Sequence, residues 1–155
     1  MKPEARTVPE QAPDFVLDDF LPYKLAVLSE RVSREFSACY RERFGISTPE
    51  WRVVANLSQA DGPVSIREIY GRVGMEKSKV SRAAARLQER GYVIKSENPD
   101  DRRLIRLSLS EKGRAMVREL TPLAHAFEAR VLDALGPDGE SFRAALDTLL
   151  TARKG

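Results

Sequence analysis

"MEKSKVSRAAARLQERGYV", Met75 to Val93, is the stretch on which the reading of this chain turns. Val80, Ala84 and Leu87 fall at i, i+4 and i+7, the spacing that lines one side of an α-helix, and Ala83 lies beside them. The other side carries Lys77, Ser78, Lys79, Ser81, Arg82, Ala85 and Arg86. A helix with one face small, polar and positive suits a DNA major groove, which is about 12 Å wide. Small residues let the backbone come close, Ser and Arg reach base edges, and Lys and Arg neutralise phosphates. Arg82 and Arg86 are one helical turn apart and face adjacent positions. The competing reading is a solvated charged face with no ligand.

The flanks narrow the choice. Upstream, Ser65 caps a short helix, "IREIYGRV", that stops at Gly74. Ser65–Val73, a glycine turn and Glu76–Arg90 therefore have the helix-turn-helix layout, a spacing that other helical hairpins share. Downstream, Gly91 closes the helix and the period changes. "YVIKSE" and "RLIRLSLS" are short strand-like runs joined by "NPDD", whose Asn-Pro and paired Asp form turns, so a β-hairpin with a polar tip is predicted. Asp101, Arg102 and Arg103 sit near that tip. A wing-tip arginine can enter a narrow, negative minor groove, and Asp101 can orient it through a charge-assisted bond.

Charge follows the same geography. Residues 65–106 hold eleven Lys or Arg against six Asp or Glu, a net of +5 in a chain whose total is +3, so the remainder is −2. A basic middle between mildly acidic flanks fits a polyanion-binding segment held by something else.

The flanks are helical. From Asp18 to Phe44, Leu21, Leu25, Leu28, Val32, Phe36 and Cys39 step by three and four until Gly45 ends the helix. "STPEWRVVANLSQ" restarts it, with Thr48 as N-cap, Pro49 in the first helical position and Glu50 at the positive end. Ser110 to Leu135 is helical through Leu120, Leu123, Phe127 and Val131, and Pro122 inside it predicts a kink or a late start. "GPDGES" is a break before a last helix with Phe142, Ala145, Leu146 and Leu149. The predicted fold is mainly α with a small β-hairpin wing. Residues 1–17 form a flexible arm, 47–110 a winged helix-turn-helix, and 18–46 with 111–155 the helices through which two copies pair. Packing of those helices within one chain is the alternative.

Several function classes fall away. No apolar run reaches 18 residues, so no membrane span is predicted. "MKPEARTVPEQAPDF" has no apolar segment of the secretory kind. A single cysteine, Cys39, fits a reducing cytoplasm, and with a single histidine, His125, it leaves little for a zinc site. There is no phosphate loop, nucleophile elbow or metal-ligand spacing, so neither an enzyme nor a cofactor is expected. A DNA-binding regulator is the first reading, an enzyme the second, and an interaction module with a merely solvated basic helix the third.

"SKVSRAAARLQERGYV" followed by "NPDDRRLIRLSLSEKG" resembles the recognition helix and wing of the MarR family of bacterial regulators. Asp101, Arg103, Leu107, Leu109, Ser110 and Gly113 meet the wing pattern; Leu87, Gly91, Tyr92 and Val93 meet the pattern that closes the helix. The likeness runs from about Leu21 to Leu150. It implies a winged helix-turn-helix homodimer, paired through its terminal helices, with recognition helices in successive major grooves about 34–36 Å apart on a pseudo-palindromic operator. It implies a repressor that releases DNA when a small molecule binds between the pairing and DNA-binding regions. One departure is that Ala83, Ala84 and Ala85 make a smaller face than is common there.

The implied effector pocket lies between the first long helix, the "TPEWRVVANL" helix and the helix after the hairpin. Its expected lining is Tyr23, Arg31, Tyr40, Trp51 and His125, which suits an aromatic carboxylate or its thioester. "LPYKL" and "PEWRV" also resemble a branch tied to aromatic-acid catabolism. The plainer reading makes Tyr40 and Trp51 core or interface residues and His125 a hydrogen-bonded structural histidine. An oxidant sensor through Cys39 is a further alternative, since Arg41 and Arg43 are near. Against it, Cys39 lies on the apolar stripe, where an inert buried thiol is expected, and late in its helix, whereas the family's peroxide sensors place theirs near the start.

Overall fold

The computed structural model describes residues 13–153, so residues 1–12 of the expected arm lie outside the described residues. A 3-10 turn, Leu17–Asp19, precedes α1 (Leu21–Phe44). The helix starts three residues later than predicted. Phe20 is extended, at φ −78° and ψ 119°, and Pro22 stands in the first turn, where its missing N–H is not needed. Gly45 ends α1 at φ +62°, its N–H donating to Arg41 O at 2.9 Å.

The cap of α2 (Thr48–Ser58) is Ser47, not Thr48. Ser47 Oγ accepts from Glu50 N–H at 3.3 Å, and the Glu50 carboxylate accepts from Ser47 N–H at 2.9 Å, a complete capping box. Both residues can cap; Thr48 Oγ1 instead accepts the Tyr40 hydroxyl at 2.9 Å. A second box opens α3 (Ile66–Val73), between Ser65 and Glu68, and Gly74 at φ +65° turns the chain into α4 (Lys77–Glu89).

The hairpin of β2 (Val93–Glu97) and β3 (Ile105–Leu109) gains an unpredicted partner, β1 (Val64–Ser65). The antiparallel order is β1-β3-β2, with Val64 opposite Leu107 and Lys95 opposite the same residue. Val64 and Leu107 share the buried face and close the sheet over the helices. The core holds Tyr40, Ile46, Val53, Val54, Ile69, Val80, Ala84, Leu87, Met116 and Leu120. It is built where α2 packs on α3, α4, α5 and β3.

Ser110 caps α5 (Glu111–Asp133), which runs through Pro122 without a break, so the late start predicted there does not occur. Thr121, just before the proline, donates its hydroxyl to Val117 O at 2.7 Å. A 3-10 turn, Gly136–Asp138, leads into α6 (Gly139–Ala152), so "GPDGES" interrupts the helices for less than its length. The described chain divides into two compact units between Glu35 and Phe36. In the first, Phe15 meets Phe20 edge-on at 5.2 Å, Glu30 pairs with Arg34, and Leu21, Leu25 and Leu28 are exposed. In the second, α6 exposes Leu149 and Leu150.

Candidate nucleic-acid interface

On α4, Val80, Ala83, Ala84 and Leu87 are buried against α2, α3 and β2. Lys77, Ser78, Lys79, Arg82, Ala85 and Arg86 are exposed, and Ser81 is half-buried. Ala83 and Ala84 are buried with the stripe, as its spacing predicts, so the small face expected at Ala83–Ala85 narrows to Ala85 alone. The helix ends in a Schellman arrangement: Tyr92 N–H donates to Leu87 O at 2.9 Å and Gly91 N–H to Gln88 O at 3.0 Å, with Gly91 at φ +81°.

Beyond it, the wing tip is a chain of turns. Asn98 Oδ1 accepts from Asp100 N–H at 2.9 Å, and Leu104 N–H donates to Asp101 O at 3.0 Å. Asp101 then grips Arg103. Its Oδ1 accepts from Arg103 N–H and Nε, both at 3.1 Å, and its Oδ2 from Nη2 at 3.3 Å. The side-chain bond from Arg103, and then the backbone one, lower the Asp101 pKa below its usual 3.8. The Arg103 side chain is 90% exposed, so the fork fixes a cation that still points to solvent with three of its five donors unspent. Arg102 is exposed beside it.

Ser65 is held differently, because its hydroxyl oxygen is spent on the α3 cap. Two basic residues of the middle segment are also committed inward. Arg90 donates to Gly45 O at 3.1 Å and Phe44 O at 2.5 Å, tying the end of α4 to the end of α1. Arg106 is half-buried in β3, its Nε enclosed without a hydrogen-bond partner. At the same joint Ser110 donates to Gly91 O at 2.5 Å, and Lys112 donates to Arg90 O at 2.8 Å with its ammonium over the Tyr92 ring. Glu50, buried at the start of α2, lies 3.9 Å from Arg86. Sequence reading missed Arg90, Lys112 and Glu50 as organisers of this surface. The only sequence signal was a capping-box Glu and two cations at helix ends, which are ordinary in any helix.

The expected effector residues divide between the two units. Tyr23 and Arg31 lie in the first unit and are exposed. In the second, Tyr40 is 1% exposed and stacks on Trp51 at 5.5 Å, while Phe36 meets Tyr40, Trp51 and Phe127 within 5.7 Å. Tyr40 belongs to the core, and Phe36 and Trp51 pack against it half-buried. His125 is exposed, with no hydrogen bond among those found for the described residues, so it is not the structural histidine expected. Cys39 is half-buried rather than buried. A cavity of about 600 Å³ lies elsewhere, between the end of α2, the outer face of the sheet and the start of α5. Leu57, Pro63, Ile94, Ser108, Arg114 and Arg118 are among its walls, and Glu111 pairs with both arginines at 2.8–3.0 Å. Those pairs lower the Glu111 pKa, the bond from Arg118 first. Among the described residues, no helix is long and apolar enough to cross a membrane.

Comparison with known proteins places this geometry. A family model described as "MarR family" matches residues 44–104, from the end of α1 to the wing. The Escherichia coli (strain K12) transcriptional repressor MprA is 32% identical over 68 residues, which are 44% of this chain and 39% of MprA, so the match spans well under half of that relative. The structure of the MarR family transcriptional regulator SPO1453 from Silicibacter pomeroyi superposes with a TM-score of 0.76 at 30% identity, over 90% of this chain and 98% of that one. Bordetella bronchiseptica BpsR, whose DNA binding is regulated by 6-hydroxynicotinic acid, shares the fold at a TM-score of 0.75 and 21% identity, over 90% and 96%.

Proposed function

Because the chain belongs to the MarR family of transcriptional regulators, we propose that it binds a pseudo-palindromic operator as a homodimer and acts as a ligand-responsive repressor in the cytoplasm. The observation that carries this reading is the open face of α4. One side of the helix is core, and the other leaves Lys77, Ser78, Lys79, Arg82 and Arg86 free to meet DNA beside a wing whose Arg103 is held outward. Residues 47–110 do the reading: Arg82 and Arg86 at base edges, Lys77 and Lys79 at phosphates, Arg102 and Arg103 in the adjoining minor groove. Asp101 aims the wing. Ser65 contributes through the start of α3.

Residues 18–46 and 111–155 pair two copies. Leu21, Leu25 and Leu28 of α1 and Leu149 and Leu150 of α6 are apolar and exposed on the single chain, which supports a partner there. The effector is an aromatic acid or its thioester. The regulation of BpsR by 6-hydroxynicotinic acid supports that class. Of the aromatic residues expected to line its seat in the second unit, Trp51 keeps some open surface, whereas Tyr40 keeps almost none.

The test is fluorescence anisotropy with a duplex selected from a random library, at several salt concentrations. Binding should weaken steeply with salt, because each neutralised phosphate releases counterions. Arg82→Ala and Arg86→Ala should each cost about 1–3 kcal/mol of specific binding if they read base edges. Wild-type affinity in both would sink the assignment of α4. Adding aromatic acids and their thioesters to the complex tests the effector class separately, by release of the duplex.

A further inference from the structure

We propose that Glu50 is the positioning residue for Arg86, and that the pair sets how strongly the protein prefers its own site over other DNA. The inference rests on the reading of α4 as the recognition helix. Glu50 is the third residue of α2, and its side chain is 6% exposed. One oxygen, Oε2, closes the capping box by accepting Ser47 N–H at 2.9 Å. The other, Oε1, is not needed by the cap and lies 3.9 Å from Arg86 Nη1. Around them is a cavity of about 320 Å³, to which α4 contributes Lys79, Arg82, Ala83 and Arg86, and α2 contributes Pro49 and Glu50. One enclosed carboxylate thus faces three cations of the helix face proposed to meet DNA.

The capping box does not require the charge, although the positive end of α2 favours it. Glutamine closes the same box, and a carboxylate is costly to keep out of water. What the charge adds is a pull on Arg86, whose side chain is otherwise 68% exposed and long enough to sample many directions. A guanidinium drawn toward the carboxylate at 3.9 Å keeps its donors for a base edge while it samples fewer directions, which lowers the ordering cost of specific contact. The same negative charge repels any phosphate that enters the cavity, so contacts that do not depend on sequence lose by it. Both effects act in one direction, toward discrimination.

The experiment is a double-mutant cycle of Glu50→Gln and Arg86→Ala on the full chain. It is read as the ratio of affinities for the library-selected duplex and an unselected duplex of equal length. Glu50→Gln should lower that ratio about tenfold, the scale of one good base contact, while affinity for unselected DNA holds or rises. In the Arg86→Ala background, Glu50→Gln should leave the ratio unchanged. An equal drop in both backgrounds, or no drop in the first, overturns the proposal. A second measurement needs no variant: NMR relaxation of the arginine Nε groups in free protein should find Arg86 more ordered than Arg82. Equal order overturns the anchor. A wild-type protein with no preference for any duplex would refute the DNA reading instead, and the relaxation measurement would still judge the pair.

Discussion

Gly113→Ala is the substitution for which the local and the tertiary views predict opposite signs. Gly113 lies in the first turn of α5, with an ordinary helical backbone, and alanine in a helix interior is favoured over glycine by about 1 kcal/mol. Seen only as a helix position, the change should stabilise. The structure says otherwise. A Cβ on Gly113 would lie 2.3 Å from Tyr92 O, 3.3 Å from Tyr92 C and 3.1 Å from Leu109 Cδ2. The first two are backbone atoms, and Tyr92 O is fixed because it accepts Ser110 N–H at 3.0 Å. The start of α5 must move away from the start of β2 by most of an ångström, which strains the Ser110 and Lys112 bonds to the end of α4. Overpacking of a tight site costs about 1–3 kcal/mol, and contact with backbone puts this site at the upper end. The net expectation is a loss of about 2 kcal/mol. For a domain of this size that lowers Tm by roughly 4–8 °C. Thermal and urea unfolding at one fixed protomer concentration measure it, since pairing would make stability depend on concentration. A variant as stable as wild type, or more so, refutes the close approach on which the estimate stands.

Arg103→Ala should weaken DNA binding and reduce the slope of log affinity against log salt by about 1, with an unchanged melting curve. The Asp101 carboxyl should titrate below 3.8 by carbon-detected NMR and return toward it in Arg103→Ala. Because its folded pKa is the lowered one, the fork is intact above the usual Asp range and is lost only as pH falls through that lower value. DNA affinity should therefore show no step from this pair between pH 5 and 8. Ser65→Ala removes half a capping box and should cost about 1 kcal/mol of stability in urea unfolding. Peroxide should leave DNA binding by wild type and Cys39→Ala indistinguishable; a loss confined to wild type would establish a redox role.

Much of this architecture is written locally. The stripe of Val80, Ala84 and Leu87, the glycine stops at 45, 74 and 91 and the period change at Tyr92 are short-range signals, and each lies where the structure has it. What escaped is long-range or degenerate. β1 is two residues long, too short for any periodicity, and exists only because β3 lies alongside. Ser47 and Thr48 are both good caps, and the choice is settled by the Tyr40 hydroxyl. Ala83, beside the stripe in sequence, is buried with it because α2 and α3 both pack on α4. Arg90 reaches across 45 residues to Gly45, and nothing beside it in sequence marks that contact.

The pairing of Val64 with Leu107 has a consequence for how the chain finds its shape. The β2–β3 hairpin can zip from its own turn, but β1 must wait for a partner more than forty residues away, at the entropic cost of closing a long loop. That loop contains α3 and α4. The ladder between β1 and β3 should therefore form late, after the helices it encloses have docked, and the two-residue strand works as a latch. Hydrogen exchange would find it as the point from which the α3–α4 segment opens, so the helix proposed to face DNA is released or retained by one of the smallest elements in the fold.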